Sequence, residues 1–347
     1  MRLPCYCAIS RTLGAICGPA RPFHQLSRLP GRITRTALPA EFNVDITAVV
    51  STRNRGSAVV KAVESILDND HVNFKLIVID QSDDNATGDA LARFFDRPQF
   101  VYRHSDTRGA SAGRNEGIES SQSEIVALTD DDCSVPPDWL RSLHEAIGKD
   151  RRIGVAFGNV HAGEHDRTRG FIPAYCCREP CLVTTIRKKH RIEGIGACMV
   201  IRRSVWSELH GFDDSLGPGG RFKSAEELDF AIRALLAGHS LYATPAASVI
   251  HWGFRTWAEG RRLIAEYLYG LGATFAKLVR CGHWQVVFLA WQLAVRWTFA
   301  GPVVDLGHKP PRSLRLWAFL NGFGTGVVSA VDCEKGHYRI AKPGSTD

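Results

Sequence analysis

Between residues 44 and 140, short apolar runs alternate with stretches of helical periodicity, and each run stops at a polar cluster. Residues 46–51 read as a buried strand, followed by the polar turn Thr52-Arg53-Asn54-Arg55-Gly56. Val59, Val60, Val63, Ile66 and Leu67 then recur at helical spacing. Residues 74–79 predict a second strand closed by Asp80, and DQSDDNATGD predicts a turn that opens a helix through Leu91, Phe94 and Phe95. A short strand over 100–103 and a helix over 110–120 follow. The next strand, 125–128, runs directly into Asp130, Asp131 and Asp132 and is bounded by Pro136 and Pro137. Strands that alternate with helices predict an α/β fold: three layers around a mixed, mainly parallel sheet.

Beyond Trp139 the pattern loosens. Residues 153–160 and 197–202 read as strands, separated by a polar, irregular stretch over 161–193. A short helix with Trp206 and Leu209 stops at Gly211, and the glycine-rich SLGPGG segment offers a mobile, gating approach to a helix over 224–237. Gly238 caps that helix, and 248–251 is the last strand. Leu263, Ile264, Tyr267, Leu268, Leu271, Phe275, Leu278 and Val279 then form a helical stripe, with Arg261, Arg262, Lys277 and Arg280 off it. Residues 284–300 are apolar, but Gln285, Gln292 and Arg296 interrupt them, so no membrane span is expected. The reading is a catalytic domain over 43–255 and a C-terminal helical extension over 256–347 packed onto it. The competing role for residues 256–300 is peripheral contact with a membrane.

Charge changes the picture at the N-terminus only. Of the net +7, residues 1–42 carry six arginines and one glutamate, that is +5, leaving +2 for the rest. The basic segment is expected to be disordered, with no apolar core of a secretory signal. The remainder has no basic stripe interleaved with aromatics, so nucleic acid is not an expected partner. Ten cysteines raise a redox or zinc reading. Cys176, Cys177 and Cys181 near His190 lack paired CxxC spacing, so reduced cytosolic thiols are expected instead.

The candidate chemistry sits at strand ends. Three adjacent aspartates repel one another unless a cation compensates them, and hard oxygen ligands suit Mg²⁺ or Mn²⁺ carrying a diphosphate. In a parallel sheet the carboxyl ends of the strands would gather Thr52-Arg53-Asn54-Arg55, Asp80 and Asp130 to Asp132. Glu226, Glu227 and Asp229 open a downstream helix, where two adjacent glutamates and an aspartate exceed what a cap needs.

The ordered set VDITAVVSTRNR, FKLIVIDQSDD, RGASAGRNEGIESSQSEIVALTDDDCSVPPDWL, GACMVIRRSVWSELHGFDDSLGPGG, SAEELDFAIRALLAGHSLY and SVIHWG resembles the family 2 glycosyltransferases. These are inverting, nucleotide-sugar enzymes of the Rossmann-like GT-A fold, and the likeness spans about residues 44–255. The resemblance implies that Thr52, Arg53 and Asp80 line the nucleotide pocket, with Asp80 accepting from a uracil-like base. Arg108 and the GASAGRN turn with Asn115 would face the nucleotide and phosphates, Arg114 and Asn115 alternatively bracing the helix. Asp130 would take ribose or sugar hydroxyls, and Asp131 and Asp132 the metal, Mn²⁺ or Mg²⁺. His251 matches a position near metal or diphosphate, and Trp252 one that could stack on a sugar. The family commonly has Glu-Asp where this chain has Glu226-Glu227, so Glu227 is the first candidate base and Asp229 the second, with Glu226 orienting the acceptor or an arginine.

The implied function is transfer of a sugar, with UDP-sugar the expected donor, to a glycan or lipid-linked hydroxyl in cell-envelope or exopolysaccharide biosynthesis. The expected location is the cytoplasm, peripheral on the inner face of the plasma membrane. A nucleotidyltransferase of related fold would need a glycine-rich loop and lysine after the first strand, where this chain has TRNRGSAVVKA. A catalytically inactive carbohydrate-binding protein would have lost acids that are all still here.

Overall fold

The computed structural model describes residues 44–71, 73–296 and 311–339. The basic N-terminal segment predicted over 1–42 lies outside the described residues. Thirteen strands are described: β1 (Ile46–Thr52), β2 (Phe74–Asp80), β3 (Phe100–His104), β4 (Ile125–Asp130), β5 (Cys133–Ser134), β6 (Ile153–Ala162), β7 (Gly170–Phe171), β8 (Cys181–Val183), β9 (Met199–Arg202), β10 (Ser240–His251), β11 (Arg255–Thr256), β12 (Val331–Asp332) and β13 (His337–Tyr338). The helices are α1 (Val60–Leu67), α2 (Ala86–Leu91), α3 (Ala110–Glu119), α4 (Trp139–Gly148), α5 (Arg203–Glu208), α6 (Glu226–Leu236), α7 (Trp257–Arg280), α8 (Val286–Val295) and α9 (Arg312–Val328).

The main sheet runs β3-β2-β1-β4-β9-β6-β10-β5, with β8 added on β10. β1, β2, β3 and β4 are parallel, as are β6 and β10, while β9 lies antiparallel between β4 and β6. The strands are apolar throughout because both faces are covered. Ala48 and Val50 point toward Val63 and Ile66 of α1 and toward Leu140 and Leu143 of α4. Val49, Ile77 and Leu128 point the other way, toward Ile118 of α3 and Phe230 and Ala234 of α6. α3 has little apolar surface and reaches the sheet through glycine instead: a Cβ on Gly117 would overlap Val49. β1, β2 and β4 therefore end side by side, Thr52 opposite Asp80 and Ser51 opposite Asp130.

The C-terminal helices are built into this core. α7 starts at a capping box between Thr256 and Glu259, and its stripe Ile264, Leu268, Leu271, Phe275 and Leu278 packs with Ile232 of α6 and with α8 and α9. α7 and α9 cross at glycine contacts, Gly272 against the Phe319 carbonyl and Gly322 against that of Tyr269. Lys277 is fully buried, 2.6 Å from Asp213 and 2.9 Å from Asp229. Cys281 and Cys333 form a disulfide joining the end of α7 to the β12–β13 hairpin. This differs from the expectation of reduced thiols throughout. Cys176, Cys177, Cys181 and His190 form no metal-competent group among the described residues.

Removing one partner of a buried ionic group leaves an uncompensated charge. Lys277→Met should therefore lower the unfolding free energy by about 3–5 kcal/mol, read from the urea midpoint. A loss below about 1 kcal/mol would show that the network contributes little.

Candidate active site

The end of β4 delivers the three aspartates, and their side chains part ways. Asp130 accepts from Arg114 at 2.9 Å and stays a third exposed. Asp131 turns inward, accepting from the Thr52 hydroxyl at 2.7 Å and pairing with Arg55 at 3.3 Å. Burial pushes its carboxyl up to about 6 despite Arg55 and Thr52. Asp132 points back beside Asp130 and pairs with Arg55 at 3.2 Å and with His251 at 3.1 Å. Burial opposes the ionised form of Asp132, but the His251 hydrogen bond and charge and Arg55 outweigh it and hold the carboxyl below its usual range.

One oxygen each of Asp130 and Asp132, Nε2 or Nδ1 of His251 and the Cys133 sulfur lie within 4.8 Å of one another. Burial and the two aspartates push the Cys133 thiol far up, so it stays protonated and is a poor ligand for a hard cation. The His251 Nδ1 lies 2.9 Å from the Pro173 carbonyl, which accepts from it and leaves Nε2 toward Asp132. Two carboxylates and one oriented imidazole suit Mn²⁺, and the carboxylates alone suit Mg²⁺. The grouping sets Asp130 beside Asp132 and His251, whereas Asp131, expected among the metal ligands with Asp132 and His251, faces Thr52 and Arg55.

Asp80 closes β2 as predicted but is fully buried, and its oxygens accept from the Ser82 amide at 3.0 Å, the Ser82 hydroxyl at 2.5 Å and Tyr102 at 2.8 Å. The exposed acid of this rim is Asp83, which accepts from Arg53 at 3.1 Å, Asn54 at 2.9 Å and Arg108 at 2.8 Å. Arg53 and Arg108 thus flank one carboxylate beside the end of β1. Asn115 does not face this rim. Its side chain donates to the Phe212 carbonyl and to Asp214 and accepts from Trp206 and the Phe212 amide. All four of its amide valences brace the α5 region, which corrects its assignment to the nucleotide.

The predicted gating segment is tied to α3. Ala110 donates its amide to the Pro218 carbonyl and the Ser111 hydroxyl donates to that of Leu216, both at 2.9 Å. The GASAGRN turn therefore meets this segment. Just beyond it Lys223 and Ala225 hold left-handed backbone, φ 69° and 74°, and Ala225 sits at the cap of α6. A buried non-glycine residue there stores strain where the chain swings the two glutamates into place.

Arg114 joins the two halves. Its guanidinium is buried and donates to Asp130 with one nitrogen and to Glu226 with another, both at 2.9 Å. Glu227 accepts from the Gly196 amide at 3.3 Å and lines a small cavity with Lys189, Glu193, Tyr267 and Leu293. Asp229, the second candidate base, is excluded from that cavity: it is fully buried between Arg233 at 2.8 Å and Lys277 at 2.9 Å. Burial opposes its ionised form, yet Arg233 and Lys277 outweigh it and hold the carboxyl below its ordinary range. Trp252 is no open platform either, since Lys61 lies 3.3 Å from its ring centre and its Nε1 donates to Ser134. The pairing of Arg55 with Asp131 and Asp132, the place of Asp83 and the bridging role of Arg114 were not read from the sequence. Arg55 and Asp83 lie inside clusters already singled out, TRNR and DQSDD.

Residues 47–209 match the family described as Glycosyl transferase family 2, a span that stops short of α6 and His251. The succinoglycan biosynthesis protein ExoO of Rhizobium meliloti is 27% identical over 216 residues, covering 60% of this chain and 60% of that protein. The chain spans 25% and 60% of the lengths of the first two curated relatives it matches. Mannosyltransferase PcManGT from Pyrobaculum calidifontis, in complex with GDP-Man and Mn²⁺, superimposes with a TM-score of 0.55 at 15% identity, over 83% of this chain and 88% of that one. S. aureus TarS 1-349 in complex with UDP-GlcNAc gives a TM-score of 0.53 at 15% identity, over 74% and 73%. At this identity the two structures share the fold, and the family match places the strand ends in it. Residues 47–209 thus match the family 2 glycosyltransferases, on the GT-A fold that these solved structures share.

Proposed function

We propose that this chain moves a sugar from a nucleotide-diphosphate donor, UDP-sugar being the first to test, to a hydroxyl of a glycan or lipid-linked acceptor, with inversion. The observation that carries the proposal is the Arg114 bridge, which sets Asp130 and Asp132 on one side and Glu226 and Glu227 on the other. The names of the relatives fit this reading: one acts in succinoglycan biosynthesis, and the solved neighbours hold GDP-Man with Mn²⁺ or UDP-GlcNAc. An exopolysaccharide or cell-envelope pathway is therefore the proposed setting.

Thr52, Arg53, Asp80, Asp83 and Arg108 form the proposed nucleotide rim. Asp130, Asp132 and His251 would hold the divalent ion, which when bound would offset charge on the diphosphate. Arg55 already neutralises Asp131 and Asp132. Glu227 accepts the acceptor proton as the acceptor oxygen bonds to the anomeric carbon, and the bond to the diphosphate breaks with its electron pair leaving on phosphate. Glu226 is a positioning residue, since its carboxylate is held by Arg114.

With a UDP-sugar and Mn²⁺ the wild-type chain should release UDP, EDTA should stop the release, and added Mn²⁺ should restore it. Glu227→Gln and Asp132→Asn should each lower turnover by about 10²–10⁴-fold. Asp229→Asn should shift the unfolding midpoint more than turnover per folded molecule. Unchanged turnover in Glu227→Gln would move the base elsewhere.

A pH prediction follows for Glu226. Burial and the charge of Glu227 raise its pKa, against the pull of Arg114. A group whose folded pKa exceeds its unfolded value contributes stability that is full below the unfolded value, about 4.3, and lost as pH rises through the folded one. Relative to wild type, Glu226→Gln should therefore gain stability between acid and neutral pH, by more than about 1 kcal/mol. Urea midpoints in EDTA at the two pH values check this, and a constant difference would count against the raised pKa.

A further inference from the structure

Eleven of the fifteen exposed large apolar side chains among the described residues lie between 284 and 328, on α8, α9 and the residue or two before α8. Trp284, Trp291 and Trp317 are 68%, 60% and 61% exposed. An apolar groove of about 500 Å³ runs between the two helices, with Trp291 and Leu320 among its walls. Neither α8 nor α9 contains an aspartate or glutamate. Residues 257–339 carry ten Lys and Arg against five Asp and Glu, but Lys277 and Arg315 are buried and Arg296 is paired with Glu193. A contiguous apolar face of this kind marks an interaction surface.

We propose that α8 and α9 dock the chain in the plane of a lipid bilayer that bears anionic headgroups. Tryptophan favours the interface, where one side of the ring is apolar and the other wet. Exposed basic residues at helix ends, Arg280 of α7 and Arg312 of α9, favour anionic headgroups, each adding attraction near such a surface. No described helix is long and apolar enough to cross a membrane, and the contact proposed is in the plane. The surface keeps the α8 part of the region predicted over 256–300 and adds α9, because the apolar stripe of α7 is turned inward onto α6, α8 and α9.

The far side of α8 reaches the small cavity beside Glu227. Leu293 lines it with Glu227, and Arg296, just beyond the helix, pairs with Glu193 of the same cavity at 2.5 Å. A lipid-linked acceptor is the class this placement serves. That consequence rests on the proposed glycosyl transfer, whereas the docking does not.

The test is flotation of the full chain with vesicles of phosphatidylcholine, alone or mixed with phosphatidylglycerol. Removing residues 256–347 is no substitute, because it would strip the buried Lys277 from Asp213 and Asp229. The wild type should float with the mixed vesicles, and about tenfold less with neutral vesicles or in high salt. The triple variant Trp284→Ser, Trp291→Ser, Trp317→Ser should lose about tenfold in flotation with its circular dichroism and donor hydrolysis unchanged. Absence of wild-type flotation, or equal flotation of the triple variant, overturns the proposal. A wild-type dimer by light scattering that the same substitutions dissociate, without flotation, assigns the face to a second copy and also overturns it. Flotation as expected without donor hydrolysis in either protein supports the docking and counts against the catalytic reading.

Discussion

A single buried guanidinium sets the distance between the two halves of the site. Arg114 sits on α3, between the sheet and α6, and its two terminal nitrogens hold Asp130 and Glu226. Burial opposes its charge, but Asp130 and Glu226 outweigh that and keep it firmly protonated. A buried cation with two carboxylates is strongly directional, since a planar fork satisfies both only in one orientation. Glycine makes this reach possible, because α3 approaches β1 closely at Gly117. The second ionic network holds α6 one turn further on, where Asp229 meets Arg233 and Lys277. Between these two anchors Glu227 is the carboxylate of the first turn that is tied to no cation and faces a cavity.

The parallel half of the sheet was legible because burial on both faces leaves continuous apolar runs, and β1, β2 and β4 are such runs. The first half of β10 was not, because its Ser240 to Thr244 stretch follows the predicted helix so closely that no turn signal separates it beyond Gly238. Within the site, acids at strand ends were found and their roles were harder. Asp131 and Asp132 lie in the turn that follows β4, so strand alternation does not fix where they point. Their place at a strand end was available in the sequence. The partners of Asp229 and Asn115 were not: Lys277 lies 48 residues downstream of the one, and Phe212 and Asp214 nearly a hundred beyond the other. The Cys281–Cys333 bond has no local signature either.

The three aspartates also show how charge is balanced before any ligand arrives. Arg55 contacts Asp131 and Asp132, and His251 contacts Asp132. Burial opposes the charged imidazole, but Asp132 outweighs it and raises the His251 pKa. The cluster is thus contacted by Arg55 and His251 on one side and by Arg114 on the other. Asp131 is the most desolvated of the three, and its inward hydrogen bond from Thr52 ties the end of β1 to the end of β4.

The C-terminal helices carry the same lesson about amphipathic stripes. A helix with an apolar stripe and off-stripe basic residues reads alike whether the stripe meets a protein core or a lipid surface. α7 is decided by Lys277, a basic residue that is fully buried and paired with two aspartates of the catalytic domain. That leaves α8 and α9 to cover α7 on one side and to present Trp291 and Trp317 on the other. Their apolar outer face cannot be explained by the core they pack on, because its side chains point away from it. The exposed face and the small cavity share α8, so whatever covers the one sits one helix away from Glu227.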